Sequence, residues 1–290
     1  MAASLAAAVA VAGGLWFADR SVHAADDRNA LARQTAVTER FSKGVEDLGN
    51  SSADIQIGGV YLLERLATDV PSDRSTIFEM LSTFVRMHAP AGPECGKSAT
   101  DRPAPAVRTA LTVIGRRSAG GPERIDLSDT CLANAEWSGA NLQGARLDRA
   151  DLSHADLEGA DFTLARLAST DLDNANLSEA KLIAANADAA NMQAADLTYA
   201  KLTNTILGNT DLRRARLETA VLGGTLFVDA DLRGTILGTG TQSATEDPRS
   251  VRRAKAESKF GASDFSMARY DNQTVWPDGF VPVPDPDPTP

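Results

Sequence analysis

The segment Ala91-Gly92-Pro93-Glu94-Cys95-Gly96-Lys97-Ser98 fits a relaxed phosphate-loop pattern with Ala at its first position. Such a loop cradles phosphate when a buried strand precedes it and a helix follows, so that backbone amides and the helix N-terminus face the anion. Here a helical pattern and Pro90 come before it, and Ser98-Ala99-Thr100-Asp101-Arg102-Pro103 follows. The match therefore reads as a coincidental loop with Lys97 in solvent. His23, His88 and His154 are far apart, with no Cys or carboxylate cluster at metal-ligand spacing beside them, and they read as surface or linker residues. No Ser/His/Asp or Cys/His arrangement can be assembled with specificity. The sequence thus predicts a non-enzyme with no cofactor and no metal. Its two cysteines, Cys95 and Cys131, make no disulfide framework and read as free thiols.

The ordered chemistry of the chain lies in its second half. From Leu127 to Leu237 an apolar residue recurs at every fifth position for twenty-three cycles, and only Ala187 among them is small. The residue two places upstream is Ala or Thr each time, as at Thr130, Ala135 and Ala230, except for Ile125 at the start. Asp or Asn commonly stands between the two, as in Ala155-Asp156-Leu157 and Ala175-Asn176-Leu177. Neither a helix, with its face repeating at 3.6 residues, nor a strand, at 2, generates a period of five. A solenoid does, because small residues let the chain turn its corners while stacked coils bury a column that no single coil could bury.

The A-(D/N)-L-x-x motif, carried almost unbroken from Ile125 to about Thr239, resembles the pentapeptide-repeat family. The resemblance implies a mainly β fold: a right-handed quadrilateral β-helix of four pentapeptides per turn, with the central Leu or Phe and the upstream Ala inward. Twenty-three units then make roughly 5.75 coils, a column about 27 Å long at ~4.8 Å per coil. Thr38-Glu39-Arg40-Phe41, Gly58-Gly59-Val60-Tyr61-Leu62-Leu63-Glu64-Arg65-Leu66 and Ala110-Leu111-Thr112-Val113-Ile114-Gly115-Arg116-Arg117 further resemble stretches of actinobacterial membrane-anchored pentapeptide-repeat proteins. That resemblance covers nearly the whole chain and implies no particular activity.

At twenty residues per coil, Cys131, Asp151, Asp171, Asn191, Asp211 and Asp231 stack on one face. Asp151, Asp171, Asp211 and Asp231 are the candidate binding residues, an acidic ladder able to dock a basic protein partner. The competing reading is that Asp at this position only bonds the backbone of each corner. Neighbouring faces mix their signs, with Lys181 and Lys201 on one and Arg146 and Arg166 on another.

A formal net charge of −10 argues against nonspecific attraction to nucleic acid, and no direct nucleic-acid binding is expected. Residues 1–18 hold no charge, at the short end of the ~17–25 residues needed to span a bilayer. They read as a transmembrane anchor, with a signal peptide cleaved after Val22-His23-Ala24 and a buried core helix as alternatives. Arg20, Arg28 and Arg33 follow the apolar run, which by the positive-inside rule puts the bulk of the chain in the cytoplasm. Cleavage would instead give a secreted product.

Residues 19–117 predict a small helical domain. Val37, Phe41, Val45 and Leu48 mark one helix; Ile57, Val60 or Tyr61, Leu63 and Leu66 a second; Ile77, Met80, Leu81, Phe84 and Val85 a third. Residues 89–105, rich in Pro and Gly, predict a loop, and Val107 to Arg117 a short helix presenting Leu111 and Ile114. The repeats occupy 122–240. A basic insertion follows at 241–262, then terminal repeats and an aromatic cap at 263–280, and a Pro-rich tail at 281–290. The reading that joins these parts is a non-enzymatic, membrane-tethered scaffold or protein-binding module. Its alternative is an acidic imitation of duplex DNA that inhibits a type II topoisomerase, which the resemblance offers because the repeats carry eighteen Asp and Glu against ten Lys and Arg.

Overall fold

The computed structural model describes residues 31–96, 102–118, 120–121, 123–238, 265 and 267–277. The anchor or leader at 1–18, the insertion at 241–262 and the tail at 281–290 lie outside the described residues.

Four helices open the described chain: α1 (31–48), α2 (Ala53–Asp69), α3 (Arg74–His88) and α4 (Pro105–Gly115). A single 3₁₀ turn at Pro71–Asp73 joins α2 to α3, since Pro71 cannot continue α2 and suits a first turn. The buried faces follow helical spacing, with Val60, Leu63, Leu66 and Ala67 on α2 and Ile77, Phe78, Leu81, Phe84 and Val85 on α3. Between the two residues the pattern left open, Val60 is buried and Tyr61 faces solvent. Val45, expected inside, is exposed. The α1–α2 contact is made instead through glycines: a Cβ on Gly44 would sit 2.8 Å from Leu63, and one on Gly59 would sit 2.8 Å from Asp47 Cβ.

The five-residue period becomes a column of four-sided coils. Each outward residue pairs in parallel with the residue twenty positions on, from Asp126↔Arg146 through Asp151↔Asp171 to Arg216↔Ile236. Among the described residues there is no extended strand; the β structure consists of these single bridges separated by two-residue turns. All twenty-three central residues are buried, and the largest fully buried side chains include Phe162 and Phe227.

Local chemistry explains why this sequence turns so sharply. Each corner places one residue at positive φ, as at Asn134, His154 and Asn174, and Gly fills that place at Gly139, Gly144 and Gly159. The Asp or Asn of the motif accepts the backbone N–H two residues on, as Asp161 does from Thr163 at 3.1 Å and Asn176 from Ser178 at 3.1 Å. Where Thr replaces the inward Ala beyond the first coil, its buried hydroxyl donates to a carbonyl of the preceding coil: Thr170 to Leu147 at 2.8 Å, Thr205 to Leu182 at 2.6 Å and Thr225 to Leu202 at 2.7 Å. A polar atom therefore enters the column without a desolvation penalty left open.

Both ends of the column are closed. At the first coil, Cys131 N–H donates to Ala89 O at 2.7 Å and Asn141 N–H to Gly115 O at 2.9 Å, so the helical region supplies acceptors that a missing coil would have supplied. Trp137 Nε1 donates to Leu111 O at 2.8 Å, and Gly115 lies so close to the indole that an added Cβ would meet Nε1 at 2.6 Å. At the far end the register resumes after the insertion, with Arg269 bridging Asp231 and Val275 bridging Ile236. Phe265 stacks on Phe227 with ring centroids 4.6 Å apart, and Trp276 meets Phe265 and Tyr270 edge-on at 5.6 and 5.5 Å. Helices and column share one hydrophobic core.

The two cysteines are not free thiols. Cys95 and Cys131 form a disulfide across 36 residues, with Cα atoms 5.6 Å apart. Sequence spacing could not reveal it because the loop between α3 and α4 folds back: Pro90 bridges Thr130, and Ala91 N–H donates to Asp129 O at 2.8 Å, which carries Cys95 to the first coil.

Candidate functional site

The predicted ladder exists as a stacked row, Cys131, Asp151, Asp171, Asn191, Asp211 and Asp231, each bridged to the next. Its members are not equivalent. Asp151 Oδ1 accepts from the Ser153 amide at 2.9 Å and hydroxyl at 2.6 Å. The loop carrying Cys95 reaches this rung, since a Cβ on Gly96 would lie 2.7 Å from the Ser153 hydroxyl and 3.1 Å from Asp151 Oδ2. Asp171 Oδ1 accepts from the Asp173 amide at 3.0 Å and from Asn191 Nδ2 at 2.9 Å. Neither Asp151 nor Asp171 has a cationic partner among the described residues.

Further up the row, arginines neutralise the face. Arg213 forks onto Asp211, with Nε at 2.8 Å from Oδ1 and Nη2 at 2.5 Å from Oδ2, and also reaches Gln193 at 2.8 Å. Arg233 does the same to Asp231 at 2.9 and 2.6 Å, with Arg269 at 3.9 Å beyond it. Asp231 was expected to face out. It is only 7% exposed, because these arginines lie over it.

The ionisation behaviour follows the partners. Burial pushes the Asp171 carboxyl above its ordinary value, with Asp151 and Asp173 adding repulsion against the opposing bonds from the Asp173 amide and Asn191. Burial also acts to raise Asp231, but the Arg233 bonds and the charges of Arg233 and Arg269 outweigh it and hold the group below its ordinary value. On the next face but one, burial would raise Asp161, yet bonds from Thr163, Gln143 and Lys181 bring it to about 2. Asp171 and Asp231, on one row, are thus shifted in opposite directions.

A family model, Pentapeptide repeats in 8 copies, matches residues 125–163, 160–198 and 195–234. The column belongs to the pentapeptide-repeat family. Among solved structures, the chain is similar to a pentapeptide-repeat protein of the Arabidopsis thaliana thylakoid lumen, at 27% identity over 32% of this chain and 66% of that one, with a TM-score of 0.32. It is also similar to HetL, a pentapeptide-repeat protein involved in heterocyst differentiation regulation in the cyanobacterium Nostoc, at 32% identity over 40% of this chain and 64% of that one, with a TM-score of 0.25. A third is QnrB1, a plasmid-mediated fluoroquinolone resistance protein, at 18% identity over 54% and 83%, with a TM-score of 0.21. This chain spans just under two thirds of the length of the first two. No curated protein matches it significantly.

Around the pentapeptide-repeat column the remaining candidates are dispersed. His88 is exposed on α3, where its ring bonds Phe84 O at 2.9 Å, and His154 stands at a corner; His23 lies outside the described residues. Of the phosphate-loop match, residues 91–96 are stapled to the first coil and Lys97 and Ser98 lie outside the described residues. No backbone cradle followed by a helix is formed by residues 91–96, and Gly96 faces a carboxylate. Among the described residues no group of three or more His, Cys, Asp or Glu could hold a metal ion, and no helix is long and apolar enough to cross a membrane.

Sequence reasoning missed a buried polar joint beneath the column. Arg117 donates to Asn141 O at 3.0 Å, to Glu123 O at 3.3 Å and to Gln143 O, while Asn141 Nδ2 donates back to Arg117 O at 3.1 Å. Arg74 pairs with the fully buried carboxylate of Glu123. Nothing in local pattern marks Arg117 over Arg116, which reaches only Glu64 at 3.8 Å; a second cue existed in the lone Trp at a central position, Trp137, whose indole needs a polar partner.

Proposed function

We propose that the chain is a non-enzymatic protein-binding scaffold that presents the outer faces of a rigid pentapeptide-repeat column to a basic protein partner. The observation that carries this reading is the row at Asp151 and Asp171: two stacked carboxylates, one of them held above its ordinary protonation range, on a backbone whose own hydrogen bonds are satisfied from coil to coil. Corner bonding explains why an acceptor stands there, but it is served equally by Asn at Asn176 and Asn191. A cation brought to the face would relieve repulsion that Asn would not create. Imitation of duplex DNA needs an unbroken line of negative charge, and Arg213, Arg233 and Arg269 interrupt it at Asp211 and Asp231; the scaffold reading is preferred on that ground.

The proposal places the folded region on the oxidising side of a membrane, tethered by residues 1–18 or released from them. The Cys95–Cys131 pair supports this side, since disulfides persist in extracytoplasmic compartments and are rare where thiols are kept reduced. It favours the secreted or outward-facing alternative over the cytoplasmic placement that Arg20, Arg28 and Arg33 suggest. Crosslinking and affinity capture from intact cells tests the scaffold: the protein with Asp151, Asp171, Asp211 and Asp231 all changed to Asn should fold and lose its partner, with native association weakening steeply as salt shortens the ~8–10 Å screening length. Retention of the same partner at the same salt would reduce the ladder to corner chemistry. In parallel, protease added outside intact cells should cleave the folded region; protection would return it to the cytoplasm.

A further inference from the structure

On the face beside the acidic row, a cleft of about 580 Å³ opens between α3, the segment leading into the first coil, and the first two coils. Four guanidinium groups line it: Arg86 from α3, Arg124 from the entering segment, and Arg146 and Arg166 from successive coils. Glu79, Glu123 and Asp126 line it as well, so the guanidiniums exceed the lining carboxylates by one, in a chain of net charge −10. We propose that it is a binding site for a phosphate ester, a property independent of the acidic row and of any partner docked there.

The guanidiniums of the cleft have unmet hydrogen-bonding capacity. Each planar guanidinium offers five donors, and pairs of oxygens on a tetrahedral phosphate satisfy them two at a time. Arg124 is exposed and has no hydrogen-bond or ion-pair partner among the described residues. Arg146 approaches Asp126 at 3.4 Å and Asp148 at 3.9 Å, and Arg86 approaches the same Asp126 oxygen at 3.7 Å, distances at which charge is balanced but donors remain unfilled. Arg166 takes the other side of Asp148 at 3.1 Å. Two carboxylates therefore hold three arginines in place without saturating them, and Arg124 adds a fourth positive charge that no described carboxylate answers.

Arg146 and Arg166 are bridge neighbours on adjacent coils, so their like charges stand about one coil spacing apart. An anion between them would replace repulsion with two charge-assisted contacts. The geometry is also preorganised. Arg146 and Arg166 rise from the column, while the floor is fixed by the buried Arg74–Glu123 pair and by Arg117. The cleft has the volume of a small-molecule site rather than of a lone ion. On its α3 side, Glu79 offers an acceptor suited to a hydroxyl group carried by the same ligand.

The test titrates the full-length protein calorimetrically with a phosphate monoester, glycerol 3-phosphate, and separately with a phosphodiester, glycerophosphoglycerol, to distinguish a free metabolite from a polymer unit as the source. Saturable one-site binding of either probe is expected, weakened about tenfold or more by Arg124→Gln, since one charge-assisted contact carries roughly that factor. Arg124 has no partner to lose among the described residues, so the variant should melt with the native protein. Arg166→Gln, followed by the same melting control, should weaken the same probe. Absence of saturable binding of both probes at millimolar concentration, or binding unaltered in Arg124→Gln, would overturn the assignment.

Discussion

Inside the column a large apolar residue repeats through every coil of one row, while directly outside it one position changes its chemistry from coil to coil. Leu132, Leu152, Leu172, Met192, Leu212 and Leu232 are all fully buried. The residues immediately before them are a disulfide cysteine, two carboxylates with no cationic partner among the described residues, an Asn, and two carboxylates gripped by arginine. The difference separates two tasks. The interior must supply a side chain of the right volume at every rung, because each coil is stable only against its neighbours. The exterior must supply only a corner acceptor, which Asp and Asn do alike, and is otherwise free to vary.

That contrast can be broken most forcibly from within. Leu172→Asp should cost several kcal/mol, because an unpaired charge enters a column whose Thr hydroxyls are already bonded to carbonyls; thermal melting checks it, and an unchanged midpoint would contradict the register. Cys95→Ser with Cys131→Ser comes next. A cross-link spanning 36 residues is worth ~3–4 kcal/mol in loop-closure entropy, so the denaturation midpoint should fall, as it should for the native protein in reductant, and a midpoint indifferent to both would deny the pairing.

The smallest effects, under about 1 kcal/mol each, belong to the face and should differ in sign. The Asp171 carboxyl is raised when folded, so its favourable contribution is complete below the unfolded value and is lost as pH climbs through the folded one. Asp171→Asn should therefore raise the melting temperature at neutral pH. Asp231 is depressed; its contribution is present above the unfolded value and disappears as pH falls through the folded one. Asp231→Asn should lower the melting temperature at neutral pH and have no effect in strong acid. Melting curves across pH for both variants would show opposite trends; parallel trends would erase the distinction between Asp171 and Asp231.

The column was legible because its constraint is local and repeated: a central Leu, an Ala or Thr two before, an Asp or Asn between. The helical faces were legible where packing follows 3.6-residue spacing; they failed at Val45 and left Val60 or Tyr61 open, where glycines 44 and 59 set which side of each helix approaches the other. Twenty-residue stacking placed the four aspartates in one row, but not their partners, because Arg213 and Arg233 are two residues from the carboxylates they grip and the choice between solvent and Asp is made by side-chain geometry. The disulfide, the Arg117 joint and the arginine cleft all unite segments distant in sequence across the junction of helices and column. No period marks such a junction.

The central claim is that binding resides in the uncompensated carboxylates rather than in acidic corners as such. Its most direct measurement is crosslinking capture from intact cells with two paired variants, Asp151→Asn with Asp171→Asn, and Asp211→Asn with Asp231→Asn, each first confirmed to melt as a folded protein. The account predicts that the first pair loses the partner that the native protein retrieves and the second pair keeps it. Retention by both, or loss confined to the second, would contradict it.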